Sequence, residues 1–126
     1  MSELLRYRSL WIGSGIAMLV VVMILALWPL PQGPDPFPYS DKIIHAVVFA
    51  FLMIWFAGIS APSAYRMIFL LLAMYGIAME AVQSFTPDRF MSVGDFAADL
   101  VGLGVGWLAA LAGASRWSGW IETRLP

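Results

Sequence analysis

Four long apolar stretches, at about 10–31, 43–61, 67–86 and 93–114, alternate with short segments that carry most of the prolines and most of the charge. Each approaches the roughly 20 residues that an α-helix needs to cross about 30 Å of hydrocarbon. The first, LWIGSGIAMLVVVMILALWPL, follows Arg6 and Arg8 as a signal peptide would, yet it is long and lacks a small-x-small cleavage site, so it reads as a retained helix. Pro87 is placed to stop the third helix and Ser92 to start the fourth. The short link SAPSAYR between the second and third stretches favours neighbouring antiparallel helices. The pattern predicts an all-α, polytopic membrane protein: a single domain over 1–126, with four transmembrane helices in a compact antiparallel bundle.

Composition agrees, since 61% of the 126 residues are hydrophobic and 12% are charged, about half the charged share of an ordinary soluble domain. By the positive-inside rule, Arg6, Arg8, Arg66, Arg116 and Arg124 belong to the cytoplasmic side, against Lys42 and Arg89 outside, so both termini are expected in the cytoplasm. The expected localisation is multi-pass in the cytoplasmic (inner) membrane. A net charge of −1 provides no basic field for nucleic acid. Cysteine is absent, which removes disulfides, thiolate nucleophiles and Cys-based zinc sites. Tryptophans 11, 28, 107, 117 and 120 lie toward helix ends, where indoles anchor at the headgroup level, and SRWSGWIETRLP reads as an interfacial tail.

The informative charges are those that segment length forces into the membrane zone. In the fourth stretch, uncharged sequence runs only from Leu100 to Ser115, so a full crossing takes in Asp99 and draws in Asp95. The third carries Glu80, and the second needs His45 to reach adequate length. A carboxylate at a helix centre costs on the order of 2.5–3.5 kcal/mol on insertion scales, which calls for compensation. Asp41 and His45 are four apart, Glu80 and Gln83 three apart, and Asp95 and Asp99 four apart, so each pair shares a helix face. The expected topology brings all three pairs to the extracytoplasmic boundary. Inward from Asp99, the same face continues through Gly102, Gly106 and Ala110, a row of small residues suited to close helix approach.

Simpler readings exist for single residues. Ser40 and Asp41 suit a helix N-terminus, Ser92 with Asp95 approximates a capping box, and Lys42 and Arg89 can snorkel to lipid phosphates. Capping does not explain Glu80, near a helix C-terminus, or Asp99, a turn beyond the cap. A polar network that only locks the bundle is one account of these. Three chemistries fit a working site. The carboxylates with one histidine suit a hard divalent cation, although no close metal-ligand motif such as H-E-x-x-H is present and no metal or other cofactor is assigned. His45 and Glu80 suit an acid/base pair, with Arg89 as an anion contact. Alternatively, the pocket only binds or moves a polar ligand. Ser84, Thr86 and Ser92 lie nearby without the signature of a nucleophile.

DKIIH (41–45), EAVQ (80–83) and RFMSVGDFAADLVGLGVG (89–106) together resemble the motifs of the VanZ-like membrane proteins, D-K-x-x-H, E-x-x-Q and R-x5-D-x3-N-x2-G-x3-G. The resemblance covers about 40–110 and departs from the pattern at Asp99, where the family usually has Asn. It implies a small helical integral membrane protein of the cell envelope, with Asp41, Lys42, His45, Glu80, Gln83, Arg89 and Asp95 at motif positions. The family takes its name from a protein associated with reduced susceptibility to teicoplanin. The combined expectation is a pocket in which His45 and Glu80 are catalytic candidates and Asp41, Lys42, Gln83, Arg89, Asp95 and Asp99 contact the ligand. The expected partners are membrane lipids and a lipid-linked envelope precursor or lipoglycopeptide. A proton-coupled carrier and a structural or assembly protein are the alternatives.

Overall fold

A computed structural model describes residues 5–28, 40–85 and 93–126, with the side chains of Ser40 and Asp41 outside that description. Five α-helices follow one another: α1 (Arg8–Leu27), α2 (Ser40–Ala57), α3 (Tyr65–Gln83), α4 (Val93–Leu111) and the short α5 (Trp117–Glu122). Among the described residues there is no strand. Single 3-10 turns, Pro62–Ala64 and Ala114–Arg116, lead into α3 and α5.

The helix ends have local causes that hydrophobicity does not register. Expected to run to 31, α1 stops at Leu27, because Trp28 precedes Pro29 and is held extended (φ −68°, ψ 132°). The second helix starts earlier than its expected 43 and ends at Ala57, where the Gly58 N–H closes the last turn onto the Ile54 and Trp55 carbonyls. Expected over 93–114, α4 ends at Leu111, and Gly113 takes the left-handed conformation (φ 122°) that glycine adopts without a Cβ penalty.

The segments Arg8–Leu27, Pro62–Gln83 and Val93–Leu111 are long and apolar enough to cross a membrane, and Lys42–Ala57 is a shorter apolar helix. Their outward faces expose Val20, Ile24, Val47, Phe51, Leu71 and Leu108. The interior holds Phe49, Leu52, Met53, Leu72, Met79 and Leu103, but it also encloses Glu80, Gln83, Asp99 and Ser118. Apolar residues outside and carboxylates inside suit a bundle whose solvent is lipid.

The most extensive contact joins α2 to α4, and glycine makes it possible. A Cβ on Gly102 would lie 2.2 Å from the Ala46 carbonyl oxygen, and one on Gly106 would lie 2.7 Å from that of Ala50. Both glycines are buried, as is Ala110, so the small-residue row does face the bundle. The rising pairs 46–102 and 50–106 also set α2 and α4 running in the same direction. Between α3 and α4 the order reverses, because Gly76 meets Asp99 whereas Phe69 meets Trp107, with ring centroids 5.5 Å apart. Helix α1 runs with α3, tied by Tyr75 Oη donating to the Leu19 carbonyl (2.5 Å) and Gln83 Nε2 donating to that of Ala26 (2.7 Å).

The C-terminal segment, expected to be an interfacial tail, docks on the helices. Trp117 stacks on Trp55 at 4.2 Å and donates its indole N–H to the Ile54 carbonyl, while Ser118 Oγ donates to the Gly58 carbonyl. Glu122 accepts hydrogen bonds from the backbone N–H groups of Arg6 (2.7 Å) and Tyr7 (3.0 Å) and from Trp11 Nε1 (2.6 Å). The first turn of α1, which has no side-chain cap of its own, thus receives a carboxylate from the other end of the chain. Trp11 and Trp117 are therefore spent on packing and hydrogen bonds, while Trp28 and Trp120 remain exposed as anchors would be.

Candidate functional site

The common direction of α2 and α4, opposed by α3, gathers the N-terminal turns of two helices and the C-terminal turns of the third. His45 enters from α2, one turn from the helix start, and Asp95 and Asp99 enter from α4 with the same offset from each other as the Ala46–Ala50 step opposite them. Glu80 enters from α3, one turn before its end. The seam of Gly102 on Ala46 draws the backbones together immediately below the polar groups, which brings His45 against Asp99.

His45 Nδ1 and Asp99 Oδ1 share a hydrogen bond at 2.8 Å, and Nε2 lies 3.8 Å from Asp95 Oδ2. Lys42 Nζ, a turn earlier on α2, donates to Asp95 Oδ1 at 3.2 Å. The arrangement has a gradient of burial: Lys42 is partly open, His45 and Asp95 are half-buried, Glu80 is 1% exposed and Asp99 is 0% exposed. Donor atoms of His45, Glu80 and Asp99 all lie within 4.8 Å of one another. When Nδ1 carries the proton shared with Asp99, the lone pair of a neutral imidazole is on Nε2, on the Asp95 side.

Of the residues singled out in the sequence, the structure brings together Lys42, His45, Glu80, Asp95 and Asp99. Gln83 is buried but sends its amide N–H to the Ala26 carbonyl of α1, so that contact is a tie between helices. Arg89 and the side chain of Asp41 lie outside the described residues. Gly76 carries no signal in the sequence, yet a Cβ there would come within 2.9 Å of Asp99 Oδ2, so its bare backbone makes room for the carboxylate.

Two concavities lie elsewhere among the described residues. One, about 750 Å³, is at the opposite end, under the docked C-terminal segment, and is lined in part by Gly58, Tyr65, Arg116 and Glu122. The other, about 410 Å³ and lined only by apolar side chains, lies between α1 and α2 beside Val22 and Val48, a surface suited to an acyl chain. Neither collects the titratable groups that converge at His45.

No protein-family model, curated protein or solved structure matches the chain. The likeness to VanZ-like proteins therefore rests on the motif residues themselves, and function has to be argued from the chemistry of the cluster.

Proposed function

We propose that this chain is a VanZ-like cell-envelope protein whose polar cluster binds a membrane amphiphile by its polar or anionic headgroup and supplies the groups to act on it. The observation that carries the reading is the convergence of Lys42, His45, Glu80, Asp95 and Asp99 from three helices, inside a molecule whose outward helix faces are apolar. Four crossings are part of the proposal, with α2 as the shortest. Support comes from the opposed directions of α3 and α4, and from the shared directions of α1 with α3 and of α2 with α4. The arginine distribution supports the rest of the proposal, in which both termini are cytoplasmic and the cluster lies at the outer boundary of the inner membrane.

In this reading Asp99 orients His45, His45 Nε2 acts as general base toward a headgroup hydroxyl or water, and Glu80 is the partner acid. Lys42 and Arg89 attract the anionic part of the ligand, Asp41 is a further ligand contact, and Asp95 holds the Lys42 ammonium in place. The acyl portion remains in lipid. A lipid-linked envelope precursor has this form, and so does a lipoglycopeptide such as teicoplanin, which connects the site to glycopeptide susceptibility. Native mass spectrometry of wild type and Arg89→Ala tests the binding: selective loss of one headgroup class from the variant is expected, and identical lipid in both would refute the headgroup site.

A second reading draws on the complete burial of Asp99 beside a histidine, the pairing expected of a proton relay in a carrier. Ligand movement that follows an imposed pH gradient in sealed vesicles would favour it, since a site that only modifies its ligand needs no gradient.

A further inference from the structure

We infer that His45, Glu80 and Asp99 form a binding site for a divalent transition-metal cation. The donor set is one imidazole nitrogen and two carboxylates, contributed by three different helices, with donor atoms within 4.8 Å of one another. Two ligands in cis around an ion at about 2.1 Å are roughly 3 Å apart, and two in trans are about 4.2 Å apart. The His45–Asp99 separation of 2.8 Å is already of the first kind, so a cation can take the place of the proton that the two share. The wider separations close by small side-chain rotations.

Independent support comes from Asp99 itself. It is 0% exposed, and among the described residues no hydrogen-bond donor reaches its Oδ2. A buried carboxylate oxygen left in this condition carries a desolvation cost of at least 1–3 kcal/mol, more when charged. It is directed at the backbone of α3 beside Gly76, one turn from Glu80 on the same helix face. The glycine keeps a cradle open that a methyl group would fill.

The chemistry selects the ion. Imidazole nitrogen with carboxylate oxygens suits Zn²⁺ or Mn²⁺ better than Ca²⁺ or Mg²⁺, which favour all-oxygen shells. Three protein ligands leave coordination positions open, as in catalytic sites. With the ion bound, these three side chains are its ligands in place of the acid/base roles given above, and the ion would polarise a headgroup phosphate or carbonyl; that action rests on the headgroup binding proposed above, but whether the ion binds does not.

The test uses the full chain without a polyhistidine tag, stripped with chelator in detergent, then titrated separately with Zn²⁺ and Mn²⁺ and assayed for retained metal per chain. Retention near one equivalent, falling at least tenfold in affinity in Glu80→Gln and in Asp99→Asn, is the expected result. Retention below about a tenth of an equivalent of both ions, or equal retention in wild type and both variants, overturns the site. X-ray absorption of metal-loaded wild type keeps the test independent of variant folding. Because the chain has one histidine, imidazole scattering identifies His45, and its absence refutes the assignment. Native mass spectra of the stripped protein separate the two readings: loss of metal with lipid retained, or the reverse, assigns the failure to one of them.

Discussion

Gly102 of α4 is pressed so closely against Ala46 of α2 that a methyl group on it would lie 2.2 Å from the Ala46 carbonyl oxygen. The obstacle is backbone, which cannot swing aside as a side chain would. Gly102→Ala and Gly106→Ala are therefore expected to destabilise the bundle by about 1–3 kcal/mol each. Gly104, on the same helix, has nothing within 4 Å of its Cβ position. Gly104→Ala should leave stability unchanged or raise it by at most about 1 kcal/mol. Thermal unfolding of the three variants in one detergent checks the contrast, and equal effects at 102 and 104 would contradict the seam.

The ties between α1 and α3 lead to a second expectation. Gln83→Leu and Tyr75→Phe each remove a hydrogen bond to an α1 carbonyl. In membrane bundles such bonds average about 0.6 kcal/mol, with a maximum near 1.7. Each variant should lose about that much stability, and hydrogen exchange should rise in α1 over 19–26 before it rises in α4. Loss of ligand without faster α1 exchange in Gln83→Leu would show that Gln83 serves the ligand rather than the helix tie.

Glu122 makes the docked C-terminal segment sensitive to acid. Partial desolvation opposes ionisation, but the N–H donors of Tyr7, Trp11 and Arg6, together with the Arg6 charge, outweigh it and hold the carboxyl below its usual value of 4.5. A group whose folded pKa is depressed contributes stability above its unfolded pKa and loses it as pH falls through the folded one. Docking should therefore hold at neutral pH and weaken below about pH 4.5. Tryptophan emission from the Trp11–Trp55–Trp117 cluster reports it. Glu122→Gln at pH 7 should already give the emission that wild type gives in acid.

Glu80→Gln preserves the shape of the side chain and removes its acid/base capacity. Under the proposed function, conversion of a bound amphiphile should fall by roughly 10²–10⁴-fold while the fold and ligand retention persist. Turnover at the wild-type rate, measured on lipid extracts by mass spectrometry, would exclude Glu80 from acid/base chemistry.

How far the sequence could be read depended on the range of the interaction. His45 and Asp99 were legible because segment length forced both into the apolar zone and helical spacing gave each a face. Gly102 and Gly106 were legible because a four-residue repeat of small residues has few other uses in an apolar helix. Gln83 was expected in the pocket from its proximity to Glu80, and its amide N–H bond to the Ala26 carbonyl of α1 was not legible, because the partner is 57 positions away. Glu122 gave no local cue, since its partners Arg6, Tyr7 and Trp11 are more than a hundred positions away. The role of Trp55 was hidden for the same reason, its stacking partner being at 117. Helix ends were overrun wherever apolar residues continued past a glycine or a pre-proline position.

The seam between α2 and α4 also solves a problem of alignment. Small residues repeating every fourth position could mesh equally well after a slide of one turn, about 5.4 Å, because methyl and hydrogen surfaces look alike from step to step. Such a slide would carry His45 away from Asp99, to face Leu103 in one direction or Asp95 in the other, and leave the buried carboxylate without its imidazole. The His45–Asp99 pair thus acts as the index mark on a vernier whose graduations are glycines and alanines, and a chain that lost the pair would keep its scale but not its zero.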